Sequence, residues 1–247
     1  MDRVQGPRGD FPAPSPRVPS PEHHLKPMPS TSQPLATPRA QARAGFTLIE
    51  LLAVILIIGI LMTFLLPRIP EAIDAAKVTA CKKNMGEIYN GLVIHQTKRN
   101  RAPNGSGVRF FGSLIYKGIW ENTPSTAKKL TCPGVDIGAL TIGELDPLEW
   151  FAEEELLDGS YSAYAGRDCS EYPLRKFPGS GNWALVADDN DGGNNHDTTT
   201  VVLYADGSVR SFDVFEEREK GNLGPEEELL IVGPASPLEE LQKLSLD

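Results

Sequence analysis

From Phe46 to Leu66 the chain reads FTLIELLAVILIIGILMTFLL, in which Thr47, Glu50 and Thr63 are the only polar residues. At about 1.5 Å per residue, a helix of that length spans roughly 31 Å, the thickness of a bilayer's hydrocarbon core. The segment is therefore long and apolar enough to cross a membrane. An ordinary secretory signal ends its apolar region with a small-residue cleavage site. Here the small residue, Gly45, stands in front of the run, and Pro67-Arg68 follow it. Arg39 and Arg43 precede it, so the positive-inside rule leaves the leader in the cytoplasm and sends the remainder outward. Glu50 breaks the apolar pattern. An ionisable group at the centre of a membrane helix costs about 2.5 to 3.5 kcal/mol on insertion scales, so a partner for its charge is expected.

The first 45 residues are crowded with Pro, Ser and Arg and hold few large apolar side chains, so they cannot bury enough surface to offset the entropy of ordering. They read as a leader, with Met28 as an alternative start that would shorten it. The formal net charge is -9 and the acidic residues lie mostly from Asp136 onward, which argues against a nucleic-acid partner. Cys81, Cys132 and Cys169 lack the CxxC or HxxxH spacing of a local zinc site. Outside the cytoplasm, one bridge plus one spare thiol is the natural count. Cys132 and Cys169, both in the expected head, are the expected pair.

Gly45-Phe46-Thr47-Leu48-Ile49-Glu50 followed by an apolar run resembles the prepilin processing motif of type IV pilins and type II secretion pseudopilins. The resemblance implies cleavage by prepilin peptidase between Gly45 and Phe46, N-methylation of Phe46, and a role for Glu50 in assembly. The new amine at Phe46 and a Glu50 carboxylate on a neighbouring subunit would each relieve the other's desolvation cost. It also implies an inner-membrane assembly platform and other pilin or pseudopilin subunits as partners, with a single-pass anchor in the cytoplasmic membrane and an extracytoplasmic head. Pro67 stands where type IV pilins carry a helix-bending proline. It removes a backbone hydrogen bond and crowds the preceding turn, so a kink is expected there.

After the 46–66 span, an amphipathic helix is expected to continue over 67–100, with Ile73, Ala76, Ala80, Met85, Ile88, Leu92 and His95 forming its apolar stripe. Cys81 and His95 on this helix read as packing residues rather than redox or metal groups. A globular head follows over 101–215. RFFGSLIYKGIW is a helix or a strand, since pattern alone does not separate the two. TTTVVLYADGSVRSFDVF carries Asp206-Gly207 between two alternating runs, the signature of a hairpin with a type I′ turn. The expected fold is α+β and pilin-like: a long amino-terminal helix packed on a small carboxy-terminal antiparallel sheet of about three strands. The acidic stretch 216–247 reads as a solvated tail.

His196 is followed by nine residues and then Asp206-Gly207, which resembles the carboxy-terminal signature of a pilin-like family abundant in planctomycetes. Cys132-Pro133 and Asn84 match further features of that family, whereas Asp197 and three threonines stand where glycines often follow the histidine. The loop 188–197 concentrates oxygen groups. Asp188, Asp189, Asp191 and Asp197 are the candidate ligands of a calcium ion, which takes six to eight oxygens, although the spacing is not that of an EF-hand and the same residues are common in turns. The pseudopilin resemblance adds that some major subunits hold calcium in this region. No GxSxG-type nucleophile motif accompanies His196 and Asp206, so an enzyme is not expected. The expected function is a structural subunit of a type II secretion pseudopilus or type IV pilus-like filament. The alternative is a non-polymerising, membrane-anchored binding module outside the cytoplasm.

Overall fold

In a computed structural model of the chain, residues 45–190, 193 and 195–247 are described. Of the expected leader, only Gly45 falls among them. Helix α1 (Leu48–Leu65) opens on a capping box. Thr47 Oγ1 accepts the Glu50 N–H at 3.3 Å, while Glu50 Oε2 accepts both the Thr47 N–H and its hydroxyl at 2.8 Å, so two backbone donors left over at the helix start are satisfied. Leu, Ile and Val occupy all sides of α1, and every residue of it is exposed. At Pro67 the missing N–H interrupts the ladder, and the chain passes through a single 3-10 turn, Leu66–Arg68, before helix α2 (Ile69–Arg99). Asn100, in the left-handed conformation at φ 54°, ends α2.

Along α2 the buried side chains Cys81, Met85, Ile88, Leu92 and His95 recur at spacings of three and four, which places them on one face. That face meets helix α3 (Val108–Tyr116) and the sheet, so the segment whose pattern was ambiguous is a helix. A short helix α4 (Pro124–Ala127) begins with a second capping box, Thr123 to Thr126. The sheet contains β1 (Tyr164–Arg167), β2 (Ala184–Asp188), β3 (Thr199–Tyr204), β4 (Val209–Asp213) and β5 (Leu244–Ser245). Its strands lie in the order β4-β3-β2-β1-β5, and each neighbouring pair is antiparallel. Helix α5 (Val214–Glu219) follows β4 directly, capped by Asp213.

Period-two alternation on β3 divides the core. Val201, Leu203 and Ala205 face the side of α2 and α3, whereas Val202 and Tyr204 face Leu230, Leu241 and Leu244 from the carboxy terminus. Both faces of the central strands are therefore covered, which explains why β2 is the unbroken apolar run ALVA before Asp188.

Two expectations change. The hairpin at Asp206-Gly207 is present, but only Gly207 has positive φ, at 86°. The Gly207 N–H bonds to the Tyr204 carbonyl at 2.9 Å and the Tyr204 N–H to the Ser208 carbonyl at 2.9 Å. This is a type I turn closed by a left-handed glycine, not a type I′ turn. The stretch 216–247 is not a solvated tail: its leucines line the second core, and β5 pairs with β1 to make a five-stranded sheet of the expected three.

Candidate functional site

Four side chains that stand far apart in the chain meet in the core between α2 and the sheet. Cys81 comes from the buried face of α2, Cys132 from the segment after the 3-10 turn Lys128–Leu130, Asp188 from the end of β2, and His196 from the stretch leading into β3. Their ligand atoms all lie within 4.8 Å of one another, and the four residues are buried. Cys132 Sγ is 3.4 Å from His196 Nε2, Cys81 Sγ is 3.4 Å from Asp188 Oδ1, and His196 Nε2 is 3.7 Å from Asp188 Oδ2.

Local hydrogen bonding holds each group in place. The Ser162 hydroxyl donates to the Leu130 carbonyl at 2.6 Å and the Ala163 N–H to Thr131 Oγ1 at 3.1 Å, fixing the Cys132 segment to the start of β1. The Gly134 N–H donates to Cys132 Sγ at 3.3 Å. Gly134 itself must be a glycine, because a Cβ there would overlap the Asn195 carbonyl. Asp188 Oδ2 accepts the Val201 N–H at 2.7 Å. Asn195 donates to the Ala163 carbonyl at 2.6 Å and approaches Asp188 Oδ1 at 3.4 Å, while Asn190, at φ 51°, donates to Thr200 Oγ1 and the Leu230 carbonyl. His196 Nδ1 aims outward at Asp74 Oδ1, 3.5 Å away, and among the described residues makes no direct hydrogen bond. The Tyr164 hydroxyl lies 3.3 Å from Cys81 Sγ.

The neighbouring Cys132 side chain pulls the Cys81 thiol below its ordinary value despite burial, while Cys81 and burial together push the Cys132 thiol far up. Burial raises the Asp188 carboxyl and the Tyr164 phenol. Burial alone would lower His196, but Cys81, Asp188 and Asp74 outweigh it and raise the imidazole.

The expected site residues distribute differently. Cys132 and Cys169, expected as a disulfide, are both free thiols, as is Cys81. Cys169 sits in another part of the core with Sγ 3.7 Å from the Pro103 carbonyl, whereas Cys132 turns toward Cys81 and His196. Of the calcium candidates, Asp188 is buried and points into the four-residue cluster, Asp189 is partly buried with its N–H on the Ala163 carbonyl, Asp197 is exposed, and Asp191 lies outside the described residues. Cys81 is buried as a packing residue would be, but its sulfur is spent on polar contacts. At the amino terminus, Glu50 is engaged in the capping box with Thr47, a role the Thr-x-x-Glu spacing itself announces and the reading of Glu50 as a membrane charge overlooked.

The family described as "Prokaryotic N-terminal methylation motif" matches residues 41–66. The chain matches no curated protein and no solved structure. The matched motif supports a pilin or pseudopilin-type protein, and the apolar α1 behind it fits a single-pass membrane anchor. The motif points to a structural role.

Proposed function

We propose that the chain is a pseudopilin-like subunit of a type II secretion pseudopilus or type IV pilus-like filament, processed by prepilin peptidase between Gly45 and Phe46, methylated on Phe46, and carrying its head outside the cytoplasm. The observation that carries this reading is α1: an apolar helix behind a methylation motif, with no residue buried against the rest of the chain. Apolar surface of that extent requires a lipid or protein environment. A bilayer supplies it before assembly, and the α1 helices of other copies supply it afterwards. Glu50 then has two duties that can be separated. Its carboxylate caps the Thr47 backbone within one chain and, in a filament, pairs with the Phe46 amine of a neighbour.

The test uses two variants. Glu50→Gln retains the capping box, which accepts Gln as well as Glu, but removes the charge, whereas Glu50→Ala removes both. The assembly reading predicts that both variants remain in the membrane fraction and fail to co-sediment with filaments. Normal filament incorporation of Glu50→Gln would limit Glu50 to capping. A wild-type chain that stays dispersed in the membrane beside working filaments would make the chain an anchored module instead.

A further inference from the structure

We propose that Cys81, Cys132, Asp188 and His196 are the four protein ligands of a zinc ion that clamps the head to helix α2. Zinc in a tetrahedral site sits about 2.3 Å from sulfur and about 2.0 to 2.2 Å from nitrogen or oxygen, so neighbouring ligand atoms lie roughly 3.3 to 3.8 Å apart. Cys132 Sγ to His196 Nε2 and Cys81 Sγ to Asp188 Oδ1, each 3.4 Å, fall within that range, and one ligand atom from each of the four residues lies within 4.8 Å of the others. Two thiolates and an imidazole are soft and borderline donors, a set that selects zinc over calcium or magnesium.

The surroundings have the form of a metal site's outer shell. Ligating imidazoles characteristically direct their second nitrogen at a carboxylate or carbonyl, and His196 Nδ1 is aimed at Asp74 while Nε2 faces the cluster. The Gly134 N–H and the Tyr164 hydroxyl address the two sulfurs, and the Val201 N–H fixes Asp188. The alternative occupant of this space, a set of hydrogen bonds alone, leaves a carboxylate with no exposed side-chain surface whose only cationic neighbour among the described residues is His196. A divalent cation offsets two of the three negative charges that the Asp188 carboxylate and the two thiolates carry once the thiol protons leave to solvent. With four protein ligands the site is closed, which marks it as structural rather than catalytic. It joins α2, the Cys132 segment, β2 and the approach to β3, the connections a disulfide would make in a more conventional extracytoplasmic head.

The site does not depend on filament formation, so its test is separate from that of the proposed function. Untagged full-length chain, purified in detergent under reducing conditions after growth with zinc, is expected to carry one zinc per chain by elemental analysis. Replacement by Co²⁺ is expected to yield the intense visible bands of tetrahedral cobalt and thiolate-to-cobalt charge transfer. Cys132→Ser and His196→Ala are expected to lose the metal and Cys169→Ser to keep it. Asp74→Asn, at a partly exposed position, is expected to weaken affinity about 10- to 100-fold while the chain stays folded. A wild-type chain without zinc that takes up Co²⁺ without charge-transfer bands would overturn the proposal. So would zinc that survives Cys132→Ser, or an intact mass two hydrogens short that maps to a Cys81–Cys132 bridge.

Discussion

Cys81 Sγ, on the helix that follows the apolar α1, lies 3.4 Å from Asp188 Oδ1 at the end of β2, although 107 positions separate the two residues. This buried polar contact joins the long helix to the central strand of the head. Because Asp188 also accepts the Val201 N–H, truncation to alanine strands several buried donors at once. Asp188→Ala is expected to lower stability by about 1 to 3 kcal/mol or more, whereas Asp188→Asn keeps acceptor capacity and costs less. Thermal unfolding of the detergent-solubilised variants measures the difference. An Asp188→Ala variant that melts at the wild-type temperature would show that the contact holds nothing together.

Gly134 sets how closely the Cys132 segment approaches the His196 loop. A methyl group there overlaps the Asn195 backbone, while a Cβ at Gly138 meets nothing nearer than Asp136 Oδ1 at 3.6 Å. Gly134→Ala is expected to expose Cys132 to a thiol reagent and to lower the melting temperature by several degrees. Gly138→Ala is expected to do neither. Indistinguishable labelling of the two variants would remove the steric argument.

The carboxy-terminal leucines are core residues. Leu241 is fully buried against the far face of the sheet, so Leu241→Ala is expected to cost about 2 to 5 kcal/mol through lost burial and the cavity left behind. Glu226→Ala, in the same acidic stretch but exposed, is expected to change stability by less than about 0.5 kcal/mol. Denaturant midpoints compare the two, and a neutral Leu241→Ala would restore the stretch to the status of a tail.

Asp168 links the loop before α3 to the end of β1. Its Oδ1 accepts from the Ser106 hydroxyl at 3.0 Å, the Ser170 N–H at 2.9 Å and the Ser170 hydroxyl at 2.6 Å. Burial alone would raise this carboxyl, but the hydrogen bonds outweigh it and hold the folded pKa below the ordinary value. The fold therefore binds the ionised form. Its contribution is complete above the unfolded value of about 3.9 and is lost as pH falls through the lower folded value. Melting temperature is expected to decline more steeply below about pH 4 in the wild type than in Asp168→Asn. Parallel curves would contradict the assignment.

What was readable in the sequence was local. The apolar run of α1, the Met85, Ile88, Leu92 and His95 part of the α2 stripe and the alternation around Asp206-Gly207 each signal their structure within a few residues, because helix and strand periodicities are short-range, whereas Ile73 and Ala76, also expected on that stripe, are exposed and Ala80 is only partly buried. The four-residue cluster has no such signature. Cys81, Cys132, Asp188 and His196 lie on separate elements, so the absence of a CxxC pair excluded only a local site. Two hints pointed to it: the sulfur of Cys81 falls on the buried stripe of α2, and the planctomycete-type resemblance involved both Cys132 and His196. The loop 188–197 is ambiguous by composition because Asp and Asn serve turns, backbone hydrogen bonds and metals alike. Here Asn190 and Asn195 spend their amides on Thr200, Leu230 and Ala163. The role of the carboxy terminus was hidden by its charge, since runs such as EEREK and EEE dilute the apolar signal of Leu230, Leu241 and Leu244.

A processed, membrane-anchored filament subunit carries its signature at the amino terminus. Intact-mass and terminal-peptide analysis of the chain purified from cells that contain a prepilin peptidase is predicted to find a mature protein that begins at Phe46 and carries one added methyl group on that residue. The same chain from cells lacking the peptidase is predicted to retain Gly45 and the leader. A chain that keeps its leader in both backgrounds, or is cut after α1 rather than before it, would not be a prepilin-type subunit.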